Sequence, residues 1–396
     1  MTTIGEGARE STSSTDDGLE ATLKETAKKR SRWNALYEGE TTIGFLRRRK
    51  IFYLISIAII LLGAFSMGMR GLNFGIDFKG GTSWQVPSST LSVTKAQSVL
   101  KADGVTQATV FTLGTGQSRT LEAEADLSNL SVGAQTAKDK QISVDLAKAG
   151  GVTYSSVSLT NVGPTWGGDV TSKALEALGF FFLGIVIYIS IRFEWKMAVA
   201  ALVAVIHDLL VTVGVYSISN FQITPATVIA VLTILGYSLY DTIVVFDRIQ
   251  ENVKSLVNPG RLAYDDAVDL SLNQVLMRSL NTSLVAIIPV FSILVVGAYI
   301  LGATTLQDFG LALFVGLTTG AYSSIAIASP VLAYLKGREP RYQSLKKRLG
   351  TSHHAYSPKA VAQGVLLATS GTPSEQGTRT QRSRPSNARK KSRSKR

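Results

Sequence analysis

The sequence predicts an α-helical polytopic membrane protein with six transmembrane helices and one α+β domain outside the membrane. Three observations carry that prediction. Six apolar segments are each long enough to cross a hydrocarbon core of about 30 Å. The short flanks rich in lysine and arginine fall on one side of the membrane when six spans are counted. Between the first two spans, residues 70–173 lose the apolar run and alternate helix and strand periods instead. The composition agrees: 45% of the 396 residues are hydrophobic and only 17% charged, more apolar than most soluble proteins. Cysteine is absent, so the outer domain folds without disulfides and cysteine-ligated metal sites are excluded.

Residues 1–50 read as a flexible cytoplasmic leader, rich in Ser, Thr, Glu and Lys, with a short helix near Glu20 to Lys29. The first span, 51–69, lacks the short basic start and small-residue cleavage site of a secretory signal, so it is expected to stay as an anchor. Arg47, Arg48, Arg49 and Lys50 precede it, Arg192 and Lys196 bracket the turn between the second and third spans, and Lys336, Arg338, Arg341, Lys346, Lys347 and Arg348 follow the last. Both termini are therefore expected in the cytoplasm, with 70–173 on the other side.

Within 70–173, "GIDFKGG" (75–81) leads into a strand through a tight turn. "GTSWQV" reads as that strand, "SVTKAQSVLKADG" as a helix capped by Ser92 or Thr94 and stopped at Gly104, and "VTQATVFTL" as an alternating strand. "LGTGQS" is a turn, "RTLEAEAD" a strand, "AQTAKDKQISVDLAKAGG" a helix and "VTYSSVSLTNV" a last strand. The order βαββαβ predicts a ferredoxin-like split unit; a linker with residual structure is the other reading. "VGPTWGGDV" (162–170) returns the chain to the membrane, with Pro164 and Gly167–Gly168 suited to a turn or hinge. The remaining spans are expected at 174–191, 197–216, 225–246, 283–301 and 311–334, making 174–335 a five-helix membrane unit. On the last of them, Gly316-xxx-Gly320 followed by Ser323 and Ser324 is read as a packing face. Residues 336–396 form a basic tail. Its end, "TRTQRSRPSNARKKSRSKR", holds nine cations and no acid, which suits anionic lipid or ribosomal RNA.

Two carboxylates interrupt the apolar runs. An ionised acid near a helix centre in lipid costs about 2.5–3.5 kcal/mol, so it should face protein, water or a partner. Asp208 lies about 16 Å along the third span and Asp241 about 8 Å from the cytoplasmic end of the fourth, at 1.5 Å per residue. Tyr237 and Ser238 share a helical face with Asp241, Thr242 follows it, and Arg248 lies two turns lower, a polar stripe toward the cytoplasm. A second stripe, Arg278, Asn281 and Thr282, stands where the fifth helix enters the membrane. Desolvation raises a carboxyl pKa and a guanidinium lowers it, so an acid between these influences can take up and release a proton near neutral pH. The competing reading is a static Asp241–Arg278 salt bridge that pins two helices. His207 either relays protons beside Asp208 or makes only a packing contact. Asp247 and Glu251 are expected in solvent at the cytoplasmic interface. No Walker loop, HExxH or nucleophile elbow is present, so ATP hydrolysis and peptide cleavage have no sequence support, and no cofactor or metal is expected.

"GIDFKGG" after the first span, "GP" before the second, "HD" in the third, "GYSLYDTIVVFDRIQEN" in the fourth and "NQVLMRSLNTS" at the fifth stand in an order that resembles the SecF branch of the SecD/SecF protein-export family, within the resistance-nodulation-division superfamily. The resemblance covers about Arg49 to Leu335. It implies a half-transporter of the bacterial cytoplasmic membrane that pairs with SecD and uses the proton-motive force to help draw preproteins from the SecYEG channel. It also implies that Asp241, of the "DT" pair, and Arg278 take part in proton conduction, and that Gly75, Asp77, Gly80 and Gly81 form the family's glycine motif. Tyr240 stands where Asn is common and Gln250 where Arg is common, so the family's hydrogen bond and charge at those places do not carry over. Two other functions fit the same residues: a proton-coupled exporter of lipids or small molecules, and a non-conducting translocase scaffold.

Overall fold

The computed structural model describes residues 41, 43–301 and 304–349. The expected leader helix and most of the basic tail lie outside them.

Helix α1 (Arg49–Arg70) ends at Gly71, and a two-residue strand β1 (Asn73–Phe74) follows. One helical turn, α2 (Ile76–Lys79), intervenes before β2 (Gly81–Pro87), where the sequence suggested a simple turn. Gly81 is required there: its φ is +133° and an added Cβ would stand 2.9 Å from the Ala125 carbonyl oxygen. The chain continues through α3 (Val93–Ala102), β3 (Ala108–Leu113), β4 (Thr120–Ala125), α4 (Val132–Gly150) and β5 (Ser158–Val162). Ser92, and not Thr94, caps α3 by accepting from Lys95 N at 3.2 Å. The last strand is shorter than expected because Tyr154–Ser156 turn first.

These four strands pair antiparallel in the order β3-β4-β2-β5. Alternation divides the sheet into two faces. Trp84, Val86, Leu121 and Ala123 pack under Leu100 of α3 and Ile142 and Leu146 of α4, forming the domain core. Ser83, Gln85, Glu122 and Glu124 point the other way, toward the membrane helices.

Helix α5 (Pro164–Arg192) begins ten residues before the expected span, which corrects the turn or hinge reading of Pro164–Gly168. Pro164 occupies the first helical position, where its missing N–H costs nothing. Gly167 lies inside the helix because its face presses on the glycine motif; a Cβ would come 2.8 Å from the Phe78 carbonyl oxygen. Then come α6 (Trp195–Ser219), β6 (Gln222–Ile223) and α7 (Pro225–Asn252), the last opened by a Thr224–Thr227 capping box. β6 pairs in parallel with β1, tying the outer domain to the loop between the third and fourth spans. Helix α8 (Tyr264–Ser292) begins well before the expected span start at 283. Its polar first turns hid it from a hydropathy reading, but they face protein: Asp269 accepts from Leu46 N, and Asn273 bonds the Ile43 backbone in both directions. Helix α9 (Thr304–Ser323), a π-helical turn at Ser324–Ala328 and α10 (Ser329–Gly337) make the last span, and α11 (Pro340–Leu349) follows it. Among the described residues, six helices are thus long and apolar enough to cross a membrane. α6, α7 and the last span are the most buried, so they form the centre of the bundle.

Candidate functional site

The small residues of the last span decide what the centre contains. At Gly316 an added Cβ would lie 2.2 Å from Ile234, and at Gly320 it would lie 3.0 Å from the Ser238 Cβ. Helix α9 therefore lies directly on α7, and the next polar residues along it are delivered to the two membrane acids. Ser323 Oγ donates to Asp208 Oδ2 at 2.7 Å. Its neighbour Ser324 Oγ donates to Asp241 Oδ2. The helical hydrogen-bond period widens at Ser324, a distortion common at functional sites.

Asp241 is 3% exposed. Its remaining contacts come from Ser279 Oγ of α8, at 2.9 and 2.8 Å from its two oxygens. Asp208 is fully buried. It accepts from Ser238 Oγ at 2.5 Å on Oδ2, and its Oδ1 lies 3.0 Å from His207 Nδ1. Two carboxylates thus sit in one packed seam, joined through adjacent serines. Hydroxyls and one imidazole surround them, and among the described residues no lysine or arginine forms an ion pair with either.

The sequence foresaw Asp208, Asp241 and Ser238 together. Thr242 is buried beside them, but its hydroxyl returns to the Ser238 carbonyl at 3.0 Å. The Tyr237 hydroxyl is buried with no hydrogen-bond partner among the described residues. The rest of the expected stripe separates. Arg248 bonds Gln274 and Glu251, each at 2.6 Å, lower on the helix. Arg278 is exposed and makes no ion pair with Asp241; its neighbour Ser279 reaches the acid instead. Asn281 is exposed, and Thr282 bonds the Arg278 carbonyl. Asp247 pairs with the exposed Arg192 at 2.8 Å. Sequence reading missed Ser279, Ser323 and Ser324 as ligands of the acids. The spacing from Gly316 and Gly320 to the serine pair was the available signal.

A second cluster of acids lies at the outer mouth of the bundle. A cavity of about 360 Å³ separates the polar face of the sheet from the outer ends of α7 and α9, and Asp77, Glu122, Glu124 and Asp308 line it. Ser83 Oγ and Gln85 Nε2 donate to Glu122 at 2.6 and 3.2 Å. Gln222 Nε2 donates to both Glu124 oxygens at 2.7 Å, across the boundary between outer domain and membrane unit. Burial pushes the Glu124 carboxyl up to about 7, against the pull of the Gln222 bond; Glu122 and Asp77 add to the rise and Lys79 opposes it. Burial also raises Asp77. Gly75 shares this corner, donating its N–H to the Ile223 carbonyl at 2.9 Å.

Comparison with known proteins matches residues 142–338 to the family described as protein export membrane protein SecD/SecF, C-terminal, and residues 65–90 to the SecD/SecF GG motif. The protein translocase subunit SecF of Streptomyces coelicolor is 43% identical, over 79% of this chain and 82% of that protein. The protein translocase subunit SecDF of Bacillus subtilis is 34% identical, over 76% of this chain and 39% of that protein. The crystal structure of SecDF from Thermus thermophilus, described as a translocon-associated membrane protein, superposes with a TM-score of 0.66 at 30% identity, covering 76% of this chain and 39% of that one.

Proposed function

The chain belongs to the SecF family of protein translocase subunits, and on that premise we propose that it is a proton-driven accessory of Sec protein export, with Asp241 as its principal proton-binding group. It is a multi-pass bacterial membrane protein with an accessory role in Sec translocation. Its partner is SecD, which supplies the other half of a two-half transporter; the B. subtilis relative, named SecDF, is a chain of which this one matches 39%. The working site of the pair is the SecYEG channel, and its substrate is an unfolded preprotein.

One observation carries the mechanism: Asp241 is buried in the membrane core with only serine hydroxyls bonded to it. A carboxylate kept there as a structural anchor would be expected to carry a bonded cation, because an unpaired charge in lipid is costly. Hydroxyls serve either protonation state, accepting from a carboxylic acid or donating to a carboxylate. Arg278, one residue from Ser279 and exposed at that depth, belongs against protein or water, not lipid, and we assign it to the SecD-facing side of the site. The outer βαββαβ unit, 70–173, is assigned to the ferredoxin-like class on its strand order and helix placement. It is placed outside the cytoplasm, with both termini inside, on the lysine and arginine distribution. The chain acts by conformational coupling and not as an enzyme.

The test is export of a preprotein into inverted membrane vesicles with and without a proton gradient, SecD being present. Asp241→Asn, close in volume but unable to ionise, is expected to abolish the gradient-dependent part while the chain stays inserted and SecD-bound. Normal gradient-dependent export by that variant overturns the proposal. A parallel sodium gradient identifies the coupling ion.

A further inference from the structure

The Nε2 atom of His207 is buried in the bundle with no hydrogen-bond partner among the described residues, and the residue is only 6% exposed. Its other nitrogen, Nδ1, faces Asp208 Oδ1 at 3.0 Å. Asp208 Oδ2 is occupied by two hydroxyl donors, Ser238 and Ser323. A carboxylate accepting on both oxygens requires the proton of a neutral histidine to sit on Nδ1, which leaves a bare lone pair on Nε2.

Among the described residues, no lysine or arginine forms an ion pair with Asp208. Tyr322 of α9 stacks beside the imidazole with ring centres 6.1 Å apart, and its hydroxyl is committed to the Phe52 carbonyl and Ser56 of α1, at 2.9 and 3.1 Å. Asp208 and Tyr322 are the titratable groups in contact with the ring. Beyond them, the serine pair leads to Asp241.

We infer that His207 is a second proton-binding residue of the membrane core, taking a proton on Nε2 and holding it as an imidazolium paired with Asp208. One N–H bond forms, none breaks, and the pair passes from one negative charge to zero. The Asp208 charge is thereby balanced without an arginine, and the core holds two proton stations, His207–Asp208 and Asp241, linked through Ser323 and Ser324. This rests on the proposed proton-driven role and adds a residue to it.

Two measurements test it. The chain has three histidines, so substituting His353 and His354 by Gln leaves His207 alone for ¹⁵N spectroscopy of the full-length chain in lipid nanodiscs. The expected spectrum shows protonated Nδ1 and bare Nε2 at alkaline pH, with Nε2 gaining a proton on acidification. A proton on Nε2 at alkaline pH, or a ring that stays neutral down to the acid limit of folding, overturns the inference. The second measurement is proton flux into liposomes holding the chain and SecD. His207→Asn keeps an N–H donor near Nδ1 and removes the proton-accepting ring, so flux should fall at least tenfold with the unfolding temperature nearly unchanged. Wild-type flux from His207→Asn beside a silent Asp241→Asn overturns the histidine alone. Wild-type flux from Asp241→Asn overturns the proposed function, while the spectrum still decides the histidine. If His207→Asn fails to fold, the spectrum of the wild-type ring decides.

Discussion

The membrane core and the outer chamber each bury a pair of carboxylates that bond no lysine or arginine among the described residues, but they hold them by different means. In the core, Asp208 and Asp241 are clamped by serine hydroxyls from three helices in a packed seam. In the chamber, Glu122 and Glu124 are held by two glutamine amides and one serine around a cavity of about 360 Å³. The core pair lies wholly within the packed helices. The Glu124–Gln222 contact, by contrast, spans the outer domain and the membrane unit, which also meet at the short β1–β6 pairing and where Gly167 packs on the glycine motif. Helix α9 connects the two regions: Asp308 lies near its outer end, and Ser323 and Ser324 follow about 23 Å further along at 1.5 Å per residue. The contrast teaches that a dry acid is suited to gating a proton, whereas an acid in a cavity between two bodies is suited to sensing pH and altering how those bodies meet.

The sharpest way to break the comparison is to spoil the packing that makes the core dry. Gly316→Leu must displace Ile234, because even a Cβ stands 2.2 Å from it. The expected cost is about 1–3 kcal/mol, as for overpacked cores, with both aspartates losing the last span's serines, Ser323 and Ser324, together. Gly179→Leu, where a Cβ meets nothing within 4 Å, serves as the control and should leave thermal unfolding unchanged. Equal unfolding temperatures for the two variants would show that the α7–α9 contact is not close.

A comparable effect in the chamber appears only as pH changes. Glu124 rises from an ordinary 4.5 to about 7 on folding. Between those values the folded chain holds a proton that the unfolded chain releases. Its stability is therefore full below about 4.5 and lost as pH rises through 7, by about 3 kcal/mol at 1.36 kcal/mol per unit. Thermal unfolding at pH 5 and 8 should show this loss in the wild type and a flatter response in Glu124→Gln. A profile identical in both would remove Glu124 as the sensing group.

The smallest effect is expected from the basic tail. Truncation after Gly377 should leave proton coupling unchanged while weakening salt-sensitive binding to anionic liposomes or ribosomes, since screening suppresses contacts of that kind. Co-sedimentation at low and high salt reads this directly; binding to neither target at low salt rules the docking role out.

The two regions also differ in how legible they were. Asp208 and Asp241 stood out because a charge inside an apolar run carries a known penalty, and six spans followed from run length alone. Two helices begin earlier than their apolar runs: at Tyr264 because polar residues such as Asp269 and Asn273 face protein, which hydropathy does not see, and at Pro164 because the helix extends beyond its apolar run through exposed polar turns. Ser323 and Ser324 looked like packing residues, since a hydroxyl in a helix ordinarily returns to its own backbone. Only the close contact at Gly316 and Gly320 turns them toward the acids. Glu122 and Glu124 gave no signal: in "RTLEAEAD" they alternate with apolar residues as on any solvated strand face, and only the membrane unit beneath that face buries them. Arg278 was expected near Asp241 from its depth, and its charge does act on that acid, but depth does not fix the side of the helix, and Ser279 is the residue that faces inward and bonds.

The central claim is that Asp241 binds the proton whose movement drives the chain. Proton influx into liposomes carrying the chain with SecD, followed with an enclosed pH dye under an imposed gradient, tests it most directly. Asp241→Asn should reduce influx to the level of empty liposomes while its unfolding temperature matches or exceeds the wild type. Influx equal to the wild type in that variant would contradict it.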